Sequence, residues 1–195
     1  SILSVGIYRA TNLVPNSAIV EKIDSTDEWI QQRTGIITRH IADENESVID
    51  MAEKACRIAI KRAGLTPQDI DAVVLSTISY PYQAPSAATE LIARLGRPHA
   101  AAFDISAACA GFTYGVGIAN DMVKSGTARN VLLIGAEKLS DFTDPFDRAT
   151  AFIFADGAGA AVIGRAAEQG IGPTIWGSNA ETRDAIMFEP SYLDF

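Results

Sequence analysis

The stretch FDISAACAGFTYG, residues 103–115, decides how the chain is read. An apolar run leads into it, small residues surround Cys109, and an amphipathic run studded with glycine follows. If AAFDIS is a strand and a helix begins near Cys109, the thiol lies just past a strand's carboxyl end, at a helix N-terminus. Ligands of open α/β sheets bind at that end. The unpaired N–H groups and dipole of a helix start stabilise a thiolate, and they can donate to a developing oxyanion. Ala107, Ala108, Ala110 and Gly111 leave room for a substrate and a tight turn. The same pattern also fits a small core residue, because free cysteine is among the most buried residue types. The local pattern leaves both readings open.

The flanking sequence alternates between strand and helix patterns. ILSVGIYR (2–9) reads as a strand, and in VPNSAIVEKI Asn16 is placed to cap a helix. DSTDEWIQQRTGI offers Ser25 and Glu28 as a capping box, with Gly35 to end the helix. ESVIDMAEKACRIAIKRAG keeps Val48, Met51, Ala52, Ala55, Ala59 and Ala63 at helical spacing and stops at Gly64. IDAVVLSTIS is a buried strand, PSAATELIARLG a helix ended by Gly96, and HAAAFDIS a strand. CAGFTYGVGIANDMVKSG is a helix ended by Gly126, and NVLLIGAE a strand. ATAFIFADGAGAAVIG predicts a strand pair, or a strand with a turn at Asp156-Gly157. This order predicts an α/β fold with a mixed, mostly parallel sheet. After about Gly170 the periodicity is lost. Residues 1–170 therefore read as one unit and 171–195 as an irregular tail.

Composition bounds the function. The 195 residues suffice for one domain with a sizeable core. A formal net charge of −8 argues against general affinity for nucleic acid or an anionic membrane. The two cysteines lie far apart, which fits reduced thiols better than a disulfide framework. No signal peptide is visible and no apolar run reaches the roughly 18 residues of a membrane span, so a soluble, cytoplasmic protein is expected. No metal-ligand pattern or P-loop occurs, and GAGAAVIG opens no clear helix, so no metal and no cofactor are expected.

A nucleophilic cysteine usually works with a base. His99 precedes the strand that leads to Cys109, which puts it roughly 20 Å away at about 3.3 Å per residue. His40 follows Arg39 in a polar loop, where a surface role is expected. Cys56 lies mid-helix beside an apolar face and reads as core filler.

DSTDEWIQQRTGI, FDISAACAGFTYGVGIANDMVKSG and DRATAFIFADGAGAAVIG, in this order and spacing, closely resemble β-ketoacyl-acyl carrier protein synthase III, the initiating ketosynthase of bacterial type II fatty acid synthesis. The resemblance runs from near residue 2 to about residue 180. It implies a thiolase-like fold, in which two similar halves form αβαβα layers, and a homodimer. It implies a decarboxylative Claisen condensation: an acyl group passes from coenzyme A, here a substrate, to the cysteine, and malonyl-acyl carrier protein then attacks the thioester.

The resemblance carries the nucleophile onto Cys109 and coenzyme A contacts onto Trp29, Arg33 and Arg148. Arginine suits phosphate and an indole face suits a flat base. A helix-anchoring aromatic and surface salt bridges would explain the same three residues. Ala84, Leu139 and Phe154 match positions of the acyl pocket; Ala84 would reach the pocket of the neighbouring subunit, and ordinary core packing explains the other two equally well. A histidine and an asparagine that promote decarboxylation belong, by the same resemblance, to a second half. No counterpart of its HQAN or GNTSAA motifs occurs before Phe195. The sequence therefore reads as the first half of such an enzyme. A related thiolase-fold acyltransferase, a hydroxymethylglutaryl-coenzyme A synthase-like enzyme and a non-catalytic half of a complex are the alternatives.

Overall fold

A computed structural model describes residues 1–168 and 170–187. Its elements are β1 (Ile2–Arg9), β2 (Asn12–Pro15), α1 (Asp27–Thr34), β3 (Thr38–Ile41), α2 (Val48–Arg62), β4 (Ala72–Ser76), α3 (Ala87–Arg94), β5 (Ala101–Ile105), α4 (Gly111–Ser125), β6 (Asn130–Lys138) and β7 (Asp156–Gly164). Five strands form one sheet in the order β1-β7-β6-β4-β5. β4 runs parallel to β5 and to β6, whereas β7 is antiparallel to β6 and β1. Four of the five strands thus share one direction, and the sheet is mixed and mostly parallel. β2 and β3 make a separate antiparallel hairpin.

Helices cover both faces. α2 and α3 bury Met51, Ala55, Cys56, Leu91, Leu132 and Ile134 on one side. α4 buries Val74, Ala119, Val123, Val131, Leu133 and Ile163 on the other. A strand buried on both faces must be apolar throughout, and every residue of β4 (AVVLS) is buried. α4 does not reach across to β1. Val5 and Ile7 pair with Ala161 and Gly159 and so share the face of Ile163, yet they stay 48% and 62% exposed. Phe112 of α4 is exposed as well. Together they leave an apolar surface on the α4 side of the sheet.

Several local expectations change. Asn16 caps no α-helix: it is buried and starts a three-residue 3₁₀ turn. α1 is capped by Thr26, whose hydroxyl accepts from Trp29 N at 3.2 Å, not by Ser25. Two adjacent hydroxyl residues made the choice ambiguous. Gly35 ends α1 at φ 73°, as expected. α2 has a capping box of Ser47 and Asp50, and Gly64 follows its end at φ 69°. Asp156-Gly157 is no turn. Both residues belong to one nine-residue strand, β7. Residues 170–187 hold one short 3₁₀ helix (Ala180–Ala185), and the rest of the expected tail, 188–195, lies outside the described residues.

Candidate active site

The site lies where the carboxyl ends of β4, β5 and β6 meet the start of β7, with Lys138 paired to Asp156. β5 ends at Ile105, and the chain turns through a short 3₁₀ segment, Ala108–Ala110, into α4. The helix proper starts at Gly111, two residues after Cys109 and not at it. Ala108 holds φ 44°, a left-handed conformation that a side-chain-bearing residue adopts at a cost. The cysteine that follows it is exposed. No side chain caps the N-terminus of α4, so its dipole faces the elbow uncompensated.

Two glycines permit this close approach. A Cβ on Gly111 would lie 1.9 Å from Ser76 Oγ, and one on Gly115 would lie 2.3 Å from Leu133 Cδ1. The first turn of α4 therefore rests directly on the end of β4. The other thiol, Cys56, is fully buried, and burial pushes its pKa up. It is core filler, as the sequence suggests.

Trp29, Arg33 and Arg148, far apart in sequence, come together. The guanidinium carbon of Arg33 lies 4.8 Å from the Trp29 ring centre, and that of Arg148 lies 5.6 Å from it. Phe152 meets the indole edge-on at 5.3 Å and anchors it to a small cluster with Ile23 and Ile30. Arg148 also stands 3.6 Å from Asp24, an exposed pair of little energetic weight. Two exposed cations on one indole form a face suited to a flat, anionic ligand such as a nucleotide.

Leu139, half-buried, follows β6, and Phe154, half-buried, precedes β7. Both are at the sheet end that carries Cys109. Ala84 is exposed in the loop before α3 and joins Pro85 through a cis peptide bond. His40 lies in β3 rather than a loop, its Nδ1 2.7 Å from the Ala10 carbonyl. His99 is exposed before β5, at the far end from Cys109. An open depression of about 500 Å³ beside the elbow is lined by Ile105, Ala107, Tyr114, Ile118 and Trp176. Tyr114 and Trp176 stack there at 5.1 Å.

Three carboxylates to which sequence reasoning gave no part in the site shape this end of the sheet. Asp104 in β5 accepts from the Ala87 and Ala88 amides at 2.7 and 2.8 Å, capping α3 from outside. Asp156 accepts from Ala42 N and from Ser140 N and Oγ, tying β3 and β6 to β7. Glu137 accepts from Ile78 N, Thr77 Oγ1 and Ser79 Oγ in the loop after β4. An acidic residue set in an apolar strand was the available signal. Among the described residues no group of three potential ligands could hold a metal ion, and no helix is long and apolar enough to cross a membrane.

Residues 103–180, from within β5 to well past the end of β7, match the family of 3-oxoacyl-[acyl-carrier-protein] synthase III. The β-ketoacyl-[acyl-carrier-protein] synthase III 1 of Streptomyces coelicolor is 55% identical over 194 residues, covering 100% of this chain and 57% of that protein. Over its whole length the chain is thus similar to β-ketoacyl-acyl carrier protein synthase III proteins. A second synthase III, from Streptomyces glaucescens, is 51% identical over 194 residues, covering 100% of this chain and 58% of its own length. Among solved structures, the priming β-ketosynthase of the R1128 polyketide pathway superposes with a TM-score of 0.96 at 40% identity, over 99% of this chain and 58% of its own. The synthase III of Aquifex aeolicus superposes at 0.83 with 44% identity, over 86% of this chain and 54% of its own. The chain therefore spans little more than half the length of the synthase III relatives it matches. The thiolase-like α/β fold expected from the sequence is the fold of these neighbours.

Proposed function

We propose that this chain is the nucleophile-bearing part of an initiating ketosynthase, with Cys109 as the acyl carrier. The observation that carries the proposal is the exposed thiol at the left-handed elbow before α4, at the sheet end that also holds the Trp29–Arg33–Arg148 cluster. The Cys109 thiolate adds to the carbonyl of an acyl-coenzyme A. The oxyanion collapses, coenzyme A leaves as a thiolate, and an acyl-enzyme remains. Malonyl-acyl carrier protein then loses carbon dioxide, its carbanion attacks the Cys109 thioester, and sulfur departs to regenerate the thiolate.

The helix dipole stabilises the thiolate in the first and last steps, and free N–H groups at a helix start suit the oxyanion. Trp29 would hold the adenine, and Arg33 and Arg148 the phosphates, of coenzyme A. Leu139, Phe154 and, from a second copy, Ala84 would line the acyl pocket. A homodimer is supported by the position of β5, an edge strand bonded only to β4 in the sheet, with Phe103 37% exposed on it. Enzymes of this class act on cytoplasmic substrates, and that is the proposed location.

The test is intact-mass spectrometry of the full-length protein after brief exposure to acyl-coenzyme A. A single acyl adduct that maps to Cys109 and vanishes in Cys109→Ala is expected. Failure of the parent to acylate, or an adduct that survives Cys109→Ala, would overturn the assignment.

A further inference from the structure

Arg39 is the buried cation for which neither the fold nor the proposed chemistry has yet given a use. It is 5% exposed in β3, and no carboxylate pairs with it among the described residues. Its acceptors are neutral: Asn16 Oδ1 at 2.5 Å, with the Val14 and Phe152 carbonyls at 3.4 Å. Nε has no partner. A buried guanidinium that forgoes a counter-ion is costly unless its hydrogen bonds fix something.

Those bonds lead to one place. Asn16, itself 1% exposed, passes the contact on: its Nδ2 donates to Asp27 Oδ1 at 2.6 Å and to the Ile36 carbonyl at 2.7 Å. Asp27 is the first residue of α1, and Oδ2 of the same carboxylate accepts from Gln31 one turn on. The Arg39–Asn16–Asp27 chain thus grips α1 from below at its start, and the Ile36 bond grips the chain just past its end. The Arg39 nitrogen that donates to Asn16, Nη2, also reaches the Phe152 carbonyl, and the Phe152 ring packs edge-on against Trp29. Trp29 and Arg33 ride on α1, whereas Arg148 rides on the segment that ends at Phe152.

We propose that Arg39 and Asn16 are positioning residues for the nucleotide end of the acyl-coenzyme A site: they fix α1 and the 148–152 segment in the one arrangement that sets Arg33 and Arg148 against Trp29. This inference rests on the reading of those three residues as the coenzyme A contacts. It predicts an effect confined to the nucleotide portion of the substrate, because nothing in the chain of contacts reaches Cys109.

The experiment compares two thioester donors in the full-length protein: acyl-coenzyme A, and the same acyl group on N-acetylcysteamine, which has no nucleotide. In Asn16→Asp the acceptor for Arg39 persists, but the donor to Asp27 is replaced by a second carboxylate. The KM for acyl-coenzyme A should rise on the order of tenfold, the loss of one charge-assisted hydrogen bond. Acylation of Cys109 by the N-acetylcysteamine thioester should keep its parental rate. The reciprocal variant Asn16→Asp/Asp27→Asn restores the bond between positions 16 and 27, though not the one to the Ile36 carbonyl, and should recover part of the KM. Asp27→Ala cuts the chain at its more exposed end and serves if the buried variant does not fold; it should show the same donor-specific rise. Equal losses with both donors, no loss with either, or no recovery in the reciprocal variant would overturn the proposal. Failure of the parent itself to acylate Cys109 from either donor would instead overturn the reading on which it rests.

Discussion

Ser79 Oγ donates to Glu137 Oε2 across 2.5 Å, joining the loop that leaves β4 to the carboxyl end of β6. Ile78 N and Thr77 Oγ1 donate to the same carboxylate. Glu137 lies two residues beyond Gly135, where an added Cβ would touch Phe112 of α4 at 3.3 Å. The network therefore sits beneath the elbow. Burial raises the Glu137 pKa above the ordinary carboxylate value, and the hydrogen bonds offset only part of that. The native state then holds this proton more tightly than the unfolded chain does. Its contribution to stability is fully present below the unfolded pKa and is lost as pH rises through the raised native value. Glu137→Gln removes the titration. The melting temperature of the variant, relative to the parent, should therefore climb as pH rises from the ordinary carboxylate range through the raised native value. Thermal melts across that range check it, and a difference that is flat or falls with pH would contradict it.

Gly111 gives a sharper steric prediction. Its absent side chain is what lets α4 rest on Ser76. Gly111→Ala forces backbone or side-chain displacement and should cost about 1–3 kcal/mol, the usual range for overpacking. Ser76→Gly deletes both atoms that the new methyl would meet, Oγ at 1.9 Å and Cβ at 3.1 Å. The double variant should be more stable than the sum of the single losses predicts, a positive coupling in a double-mutant cycle. Additive losses in denaturant titrations would mean that the contact does not set the elbow.

The elements legible in the sequence were those whose signals are local. α2 shows eight buried residues at helical spacing, and α1 and α4 end on glycines with φ of 73° and 81°. β4 is an unbroken apolar run because both faces are covered. What stayed hidden depends on partners distant in sequence. β2 and β3 are four residues each, too short for a period to show, and they exist because they pair with each other. Asn16 has the chemistry of a helix cap, but Arg39 and Asp27 use that chemistry instead. Asp156-Gly157 looks like a turn because its carboxylate partners, Ala42 and Ser140, cannot be seen locally. In the site, the junction marked the thiol as a candidate but left core filler equally open, and the resemblance assigned it the role of nucleophile. The convergence of Trp29, Arg33 and Arg148 came only from the resemblance, because no spacing within the chain brings residues 33 and 148 together.

The two thiols should differ in reactivity. Cys109 is exposed beside a helix N-terminus, whereas Cys56 is buried with its pKa pushed up. Only thiolate alkylates at a useful rate. Brief iodoacetamide treatment of folded full-length protein near neutral pH should label Cys109 and spare Cys56, as peptide mass spectrometry reads directly. Preferential labelling of Cys56 would refute the exposed-nucleophile geometry.

The paired arginines on Trp29 make the last prediction. An exposed guanidinium over an indole is worth about 0.5–1 kcal/mol, so neither arginine is held firmly, and a planar base can take the place of one of them on the ring. A phosphate contact made by the displaced or remaining arginine is worth about 1.5–3 kcal/mol. Removing Arg33 or Arg148 should therefore weaken coenzyme A binding by roughly tenfold or more in calorimetry on the full-length protein. Binding should also fall with added salt in the parent, and less steeply in each variant, since exposed charges are screened. Trp29→Ala should weaken binding while leaving the salt dependence as it is in the parent, because it removes the stacking face and no charge. Melting temperatures should hardly move in Arg33→Ala and Arg148→Ala, since the Arg148–Asp24 pair is exposed and contributes little. Unchanged affinity in both arginine variants, with the fold intact, would show that this cluster is only a surface stack and that the nucleotide binds elsewhere.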